Sequence, residues 1–257
     1  MTTVEIAPEF EPLLRAHGLD SFDRIMALPT RAVVRAVPGR STVRVELPSF
    51  VGYLKRYEAD YHSPVKKLLR LLHWPGFDDE AAREWRKIQL LRQHGFLTAT
   101  PVAVGRRGFA SFLLQQEITG GEPADEYLRR QPTGRRHRLL AKVGKLARRL
   151  RDAGLIHKDL YLKHIFVAER GDDWQLYLID LQRVLGPRPH RGRWYLKDAA
   201  ALAFSARAHA GCSLTDLMRL YKAYALGETD KRFVRKVWRR VERLLRRTPK
   251  YKRVWNA

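Results

Sequence analysis

The sequence has 257 residues, 45% of them apolar, so it can bury a core in one large domain or two small ones and is not intrinsically disordered. It carries 50 Lys and Arg against 27 Asp and Glu, a net charge of +23 that indicates an anionic partner: nucleic acid, a membrane surface or a phosphorylated substrate. The single cysteine, Cys212, excludes an internal disulfide and fits a reducing compartment.

The first part of the chain has the composition of strands. Three segments rich in β-branched and aromatic residues predict an antiparallel meander: 31–37, 40–47 and 50–58. Pro38 and Gly39 predict the turn between the first two. Two more short strands are predicted further along, at 101–105 and 109–117.

A helix is predicted between the meander and these two strands. It begins at Asp78 and ends at Gly95, because Ala82, Trp85 and Ile88 recur at helical spacing.

Paired glycines and a proline in ITGGEP interrupt the pattern near residue 119 and predict a boundary. The predicted domains are therefore 1–118, rich in strands, and 119–257, mostly helical. Helices in the second domain are predicted at 135–153, 195–209, 213–225 and 230–247, with a short hairpin between the first two. This order predicts an α+β fold with two lobes.

The segment LIHKDLYLKHIFV, residues 155–167, sets charged side chains in an apolar frame. Because an unpaired buried carboxylate costs several kcal/mol, Asp159 must lie in a loop or a site. A second apolar segment, LYLID, ends in Asp180, so the two aspartates are expected at the same edge of one hairpin. Such a pair suits phosphoryl transfer, in which one carboxylate serves the attacking hydroxyl and the other holds Mg²⁺. The alternative is a pair of solvated turn aspartates.

Upstream residues fit the same chemistry. Lys55 on the third strand of the meander and Glu84 in the following helix match the kinase ion pair that touches the nucleotide phosphates. Alternatively, Lys55 is an exposed strand lysine and Glu84 contacts Lys87 one turn away. The glycine-rich loop of kinases is reduced to Gly39, around which backbone amides could still cover phosphates. Glu117 is also predicted to bind the nucleotide.

The segments HKDLYLKHIFV and LIDLQR resemble the lipopolysaccharide kinase family, and among its members the heptose kinases most. These are protein-kinase-like enzymes that phosphorylate sugars of the bacterial lipopolysaccharide core. REWRKIQLLRQHG resembles the family's helix C, and RWYLKDAAALAFS resembles the segment after its metal-binding aspartate. The similarity extends from about residue 50 to residue 210.

The resemblance implies a protein-kinase-like fold, with an antiparallel-sheet N-lobe that contains helix C and a mostly helical C-lobe. It implies that ATP and Mg²⁺ are the cofactors and assigns roles to individual residues. Asp159 would be the catalytic base and Asp180 a magnesium ligand, while Lys55 and Glu84 form the ion pair. His164 would be a second metal ligand, and His157 and Asp198 would have structural roles at the catalytic loop.

The sequence departs from protein kinases after Asp180. Gln182 stands where the D-F-G motif has glycine, and no A-P-E sequence follows. Regulation by phosphorylation of an activation segment is therefore not expected.

Two basic regions are candidates for binding anions. The first follows Asp180 and is predicted to bind the acceptor through four arginines: Arg183, Arg188, Arg191 and Arg193. Alternatively, this region is a basic surface loop. The second is an amphipathic C-terminal helix, in a region with twelve Lys and Arg between residues 231 and 253. It could pack on the second lobe and also attach the protein to anionic lipid on the cytoplasmic face of the inner membrane. The oligomeric state is not predicted.

The predicted function is ATP-dependent phosphorylation of a lipopolysaccharide core sugar, heptose first, on the core or its lipid-linked precursor. The alternatives are a Kdo kinase, a small-molecule kinase of the aminoglycoside or choline type, and a non-enzymatic basic binding protein with a degenerate kinase fold. Nucleic acid is not favoured as a partner, since the sequence shows no finger, RNP or helix-turn-helix signature. The chain lacks a signal-peptide pattern and an apolar run near the roughly 20 residues of a membrane-spanning helix, so a cytoplasmic protein is expected.

Overall fold

The computed structural model describes residues 2–29, 32–59, 63–72, 79–187, 192–227 and 230–248. The chain divides into two compact units, one formed by Met1–Gln93 and Thr98–Ile118 and the other by His94–Leu97 and Thr119–Ala257. The first unit is dominated by an antiparallel sheet and the second by helices. The predicted α+β class is therefore confirmed.

The strands of the described residues follow in chain order: β1 Thr2–Ile6, β2 Ala32–Val37, β3 Arg40–Leu47, β4 Phe50–Tyr57, β5 Leu97–Thr98, β6 Pro101–Arg107, β7 Ala110–Gln116, β8 Gly121–Pro123, β9 Ile165–Arg170 and β10 Asp173–Leu178. The helices are α1 Glu11–Ala16, α2 Phe22–Met26, α3 Pro64–Leu71, α4 Glu80–Gln93, α5 Ala124–Arg129, α6 Thr133–Asp152, α7 Gly192–Ala208, α8 Leu214–Tyr224 and α9 Lys231–Arg247.

The sheet of the first unit has six strands in the order β1-β6-β7-β4-β3-β2, and every neighbouring pair is antiparallel. The predicted meander forms its β2-β3-β4 part. Residues along β4 alternate in burial, so Leu54 enters the core with Val43 and Phe112 while Lys55 points to the other face. This alternation decides where the lysine side chain lies.

Helix α4 packs on β4, β6 and β7 of the same unit. Its Trp85, Ile88 and Leu91 are buried at helical spacing, and Glu84 is buried beside them. The indole N–H of Trp85 donates a 3.0 Å hydrogen bond to Glu5 Oε1 on β1. The helix therefore buries two carboxylates in the first unit, Glu80 and, one turn later, Glu84.

The second unit combines a four-stranded sheet, ordered β5-β10-β9-β8, with helices α5 to α9. Strands β9 and β10 form the predicted hairpin. Helices α6 and α8 approach closely at Gly144, where a Cβ would collide with the carbonyl of Leu220. Cys212, just before α8, is buried, and burial raises the pKa of its thiol to about 12.

The last described helix, α9, packs on α7. Val241 and Leu245, on the apolar side of this amphipathic helix, are buried, and Phe233 stacks on Tyr224 with ring centroids 5.7 Å apart. Asp230 caps the start of this helix, because its carboxylate accepts hydrogen bonds from backbone N–H groups of the first turn. Within the described residues, no helix combines the length and apolarity needed to cross a membrane.

Candidate active site

The first unit brings Lys55 and Glu84 together. Lys55 Nζ lies 2.5 Å from Glu84 Oε1, and the glutamate side chain is only 1% exposed. Strand β4 supplies the lysine from the face opposite Leu54, and α4 supplies the glutamate from its packed face. A buried carboxylate with such a partner holds the ammonium group in one place.

The other two predicted nucleotide-binding residues of this unit have different surroundings. Gly39 occupies the two-residue turn between β2 and β3 with φ +71°, a backbone conformation that favours glycine. The Glu117 carboxylate accepts hydrogen bonds from Arg44 Nε at 3.2 Å and from Tyr53 Oη at 2.9 Å. The bond from Arg44 is the main reason that the pKa of Glu117 is lowered. The Glu117 carboxylate is thus bound to side chains of β3 and β4.

The predicted catalytic loop lies in the second unit and begins with a buried histidine. The backbone N–H of His157 donates to Asp198 Oδ2 at 2.8 Å, and its ring Nε2 lies 3.0 Å from the carbonyl oxygen of Ile179. Because a carbonyl only accepts, Nε2 carries the proton. Burial lowers the pKa of His157 to about 4, so the ring is neutral at pH 7. His157 thereby links the loop to α7 and to the end of the hairpin.

Asp198, in α7, is the buried acceptor of the loop. Burial is the largest influence on its carboxyl group and raises its pKa to about 7, although the hydrogen bond from the backbone of His157 favours the ionised form. Asp198 is thus buried against the loop, and its structural role stays a prediction.

The carboxylate of Asp159 contacts a cation at each oxygen. Arg183 Nη1 lies 2.8 Å from Oδ2, and Lys197 Nζ lies 3.1 Å from Oδ1. The two partners differ in exposure, since the side chain of Arg183 is 57% exposed whereas that of Lys197 is 19% exposed. The carboxylate of Asp159 is therefore oriented by two cationic side chains, one on each oxygen.

His164 lies near the backbone of Asp159 and near the carboxylate of Asp180. Its Nδ1 is 2.7 Å from the backbone oxygen of Asp159, so Nδ1 carries a proton and Nε2 is the ring nitrogen that faces other partners. That Nε2 lies 3.7 Å from Asp180 Oδ2, which is too long for a hydrogen bond. Asp180 itself has φ +57° at the end of the β10 segment.

The donor pair of His164 and Asp180 fits a divalent cation. A histidine that ligates a metal usually donates its other ring N–H to a carbonyl or carboxylate, as His164 does. No group of three or more His, Cys, Asp or Glu that could hold a metal occurs among the described residues. Mg²⁺ suits the smaller set, because it commonly takes one or two protein ligands and completes its shell with phosphate oxygens and water.

The predicted acceptor-binding arginines are only partly described. Arg188 and Arg191 lie outside the described residues. Arg183 contacts Asp159, as given above, and Arg193 stacks over the Trp194 ring at 4.9 Å. Lys158 Nζ lies 4.8 Å from the same ring, so Trp194 is shared by two cations near the catalytic loop.

Two further cations near the loop have no motif that identifies them in the sequence. Lys197 directly precedes Asp198, and this adjacency is the one signal that could have indicated it. Arg240 of α9 interacts electrostatically with Tyr161, whose pKa is raised chiefly by burial. Helix α9 therefore reaches the catalytic loop on the second unit's own surface.

Fold and site together place the chain among the protein-kinase-like phosphotransferases. It belongs to the lipopolysaccharide kinase (Kdo/WaaP) family, whose model matches residues 30–224. The membership predicted from the sequence is thus confirmed, as is the kinase-like fold.

Named relatives agree with this family. The lipopolysaccharide core heptose(I) kinase WaaP of Pseudomonas aeruginosa strain PAO1 is 30% identical over 229 residues, which cover 83% of this chain and 84% of that protein. The Escherichia coli K12 protein of the same description is 29% identical over 229 residues, covering 83% and 85%. A solved structure of WaaP in complex with acyl carrier protein has a TM-score of 0.71 and 25% identity, covering 94% of this chain and 99% of that one.

Proposed function

We propose that this protein transfers the γ-phosphate of ATP to a heptose hydroxyl of the lipopolysaccharide inner core. The observation that carries the proposal is the loop carboxylate of Asp159, oriented by Arg183 and Lys197, in a member of a lipopolysaccharide kinase family. Heptose is favoured over Kdo because the named relatives are heptose(I) kinases.

The role of Asp159 is that of a general base. The acceptor hydroxyl gives its proton to the carboxylate as its oxygen bonds to the γ-phosphorus, and the bond from that phosphorus to the bridging oxygen of ADP breaks. Carboxylate orientation matters more than basicity here, since phosphoryl transfer depends chiefly on positioning and charge stabilisation.

Lys55 is assigned to the nucleotide phosphates. Its ammonium group provides the positive charge that the phosphates require, and Glu84 keeps that group from turning away. Asp180 and His164 would hold Mg²⁺, which when bound neutralises charge on the phosphate oxygens. The orientation of the His164 ring described above supports this assignment.

Acceptor recognition is assigned to the basic residues near the loop. Arg183 and Arg193 are exposed guanidinium groups, which suit phosphate or carboxylate groups of the lipopolysaccharide core. Arg188 and Arg191 stay in this proposal on the sequence alone.

We assign the exposed side of α9 to anionic lipid of the inner membrane, with the protein on its cytoplasmic face. The helix has nine Lys and Arg and a single acidic residue, Glu242, and most of its basic side chains are exposed. Each Lys or Arg near an anionic surface contributes about 1 kcal/mol of attraction. A few such residues would be enough to keep the enzyme near a lipid-linked acceptor.

A second candidate partner comes from the similar structure of WaaP in complex with acyl carrier protein. We extend that association to this chain because the similarity covers 94% of it. Native mass spectrometry of the purified protein mixed with acyl carrier protein should show a complex; only separate masses would remove this partner.

The test of function uses purified protein, Mg²⁺, ATP and core lipopolysaccharide from which phosphate has been removed. Mass spectrometry of the product should show one added phosphate on heptose, and the Asp159→Asn variant should add none. Phosphate on Kdo would transfer the proposal to the Kdo kinases. Phosphorylation of free aminoglycosides or choline in place of the core would contradict it.

A further inference from the structure

Lys197 makes two contacts with consecutive residues of the catalytic loop. Its ammonium group lies 3.1 Å from Asp159 Oδ1 and donates a hydrogen bond to the backbone oxygen of Lys158. One side chain on α7 therefore fixes both the carboxylate and the peptide that precedes it. Neither the family match nor the sequence motifs assign Lys197 a role.

The peptide that Lys197 holds has an uncommon conformation. Lys158 has φ +72°, in the left-handed region that residues other than glycine and asparagine seldom adopt. Such a conformation is strained and persists only where surrounding contacts enforce it. The hydrogen bond from Lys197 to the Lys158 carbonyl is one of these contacts. By fixing this peptide, it helps to set the direction in which the side chain of the next residue, Asp159, points.

The two oxygens of Asp159 have partners of different kinds. Lys197, on Oδ1, is largely covered and has a second bond to the loop, so it stays with the carboxylate. Arg183, on Oδ2, is largely exposed, and solvent-exposed ion pairs are weak. Only Oδ2 can therefore be released to an incoming hydroxyl without disrupting the loop.

We infer that Lys197 is the positioning residue of the catalytic base: it retains Oδ1, so that Oδ2 takes the proton of the acceptor hydroxyl once that hydroxyl replaces Arg183. This inference rests on the proposed function, in which Asp159 is the base. It names the oxygen that reacts and the group that keeps it in place. Lys197 acts through Asp159 and does not itself touch the reacting atoms.

A positioning role predicts a particular kinetic pattern. Lys197→Met keeps the length of the side chain but loses both hydrogen bonds, so kcat should fall on the order of 100-fold, the usual cost of a misplaced reacting group. The KM for ATP should change little, because Lys55, Glu84 and Asp180 are untouched. Lys197→Arg retains donors for both the carboxylate and the carbonyl and should recover much of kcat.

The experiment compares four variants of the full chain on core lipopolysaccharide: Lys197→Met, Lys197→Arg, Lys197→Ala and, as a matched control, Lys145→Met. Lys145 is an exposed lysine of α6, and its variant should behave as the wild type. Lys197→Ala is assayed with and without ethylammonium ions, which can enter the vacated space and restore the cation. Tetramethylammonium, which has no N–H donor, serves as the control ion. Nucleotide binding is measured separately by titration with Mg·ADP.

Support would be a fall in kcat at constant KM for ATP and constant ADP affinity, with recovery by arginine or by ethylammonium but not by tetramethylammonium. Wild-type kcat in Lys197→Met would overturn the inference. So would a loss that neither arginine nor ethylammonium restores, because the lysine would then serve folding alone. If the wild-type protein itself transfers no phosphate, the proposed function fails. With an active wild type, either of the two contrary outcomes above contradicts the role of Lys197 itself.

Discussion

The backbone N–H of His157 donates to the carboxylate of Asp198 at 2.8 Å, and burial moves the pKa values of these two side chains in opposite directions. The pKa of His157 is lowered from 6.5 to about 4, so the unfolded chain binds the extra proton and stability falls as pH drops through this range. The pKa of Asp198 is raised from 3.8 to about 7, so the folded chain binds the extra proton and stability falls as pH rises.

Between about pH 4 and pH 6.5 the two effects offset each other in the wild type. In a variant that lacks one of the two residues, we expect the free energy of unfolding to show the pH dependence that the other residue contributes. Relative to the wild type, His157→Gln should lose about 3 kcal/mol of unfolding free energy as pH rises through this window. Asp198→Asn should instead gain about 3 to 4 kcal/mol relative to the wild type as pH rises from about 4 to about 7. Urea unfolding at several pH values measures both, and pH profiles parallel to the wild type would contradict the assignment.

The buried pair of Lys55 and Glu84 predicts that activity and stability can be separated. Lys55→Met should lower kcat by at least about 100-fold and destabilise the fold by about 3–5 kcal/mol, because it leaves a buried carboxylate without its lysine. Glu84→Gln should cost less activity, since it only misplaces the lysine. The double variant should regain stability while remaining inactive, as judged by urea unfolding and phosphate transfer. Unchanged kinetics in Lys55→Met would remove this lysine from the site.

The two acidic residues of the second unit should differ in nucleotide binding. Asp159→Asn and Asp180→Asn should each reduce phosphate transfer by about 100-fold or more while preserving the fold, because each removes a charge and keeps the shape. Titration with Mg·ATP should show weaker binding for Asp180→Asn and nearly normal binding for Asp159→Asn. If the order of the two affinities is reversed, the assignments of base and metal ligand must be exchanged.

The contact of Arg183 with Asp159 leads us to predict a change in ATP hydrolysis when no acceptor is present. Arg183→Gln removes the cation from Asp159 Oδ2, so water can take the place of the acceptor hydroxyl there. We expect faster acceptor-independent ATP hydrolysis, measured as released phosphate, with a higher KM for the core acceptor. Arg193→Gln provides the comparison, because Arg193 stacks on Trp194 and should affect acceptor KM alone. Hydrolysis at the wild-type rate in Arg183→Gln would mean that this arginine does not cover the base.

The basic surface of α9 predicts membrane attachment that depends on charge. The variant changes four exposed arginines of α9 to glutamine: Arg239, Arg243, Arg246 and Arg247. Arg240 is kept, because it faces the catalytic loop. Because each residue contributes about 1 kcal/mol, binding to anionic vesicles should weaken by at least about tenfold, with less sensitivity to salt. Turnover on a soluble core fragment should change little. A control with equal charge loss changes exposed arginines of the first unit: Arg15, Arg24, Arg106 and Arg107.

The quadruple variant and its control separate two explanations of vesicle binding. If both variants lose it equally, net charge governs attachment and α9 is not a specific surface. If the α9 variant instead binds vesicles normally but fails on the soluble fragment, the helix belongs to the acceptor site.

Features that depend on local periodicity were accessible from the sequence. The alternation in β3 and β4 and the helical spacing in α4 place Leu54, Trp85 and Ile88 in the core as the pattern indicates. Strand β1 was not accessible, because it is short and pairs with β6, whose residues lie about a hundred positions away along the chain. Helix α3 could have been predicted but was not, because Val65, Leu68 and Leu72 recur at helical spacing after Pro64, a residue type that favours the first helical position.

The same distinction applies to the site. Asp159 and Asp180 lie in short segments whose residue types indicate their chemistry. The contact of Lys197 with Asp159 joins residues 38 positions apart and depends on how α7 packs against the loop. The position of Arg183 on one oxygen of the base likewise follows from three-dimensional geometry, so its sequence position near Asp180 could indicate only a cation of unspecified role.

The burial of Cys212 has a practical consequence for biophysical work on this enzyme. A thiol reacts as the thiolate, and burial with a raised pKa makes the native side chain a poor target for alkylating reagents at neutral pH. Since the chain has no other cysteine, one introduced at an exposed position of α9 would be the preferred address for a spin label or fluorophore. Distances to a lipid bilayer could then be followed in a protein that is otherwise of natural sequence.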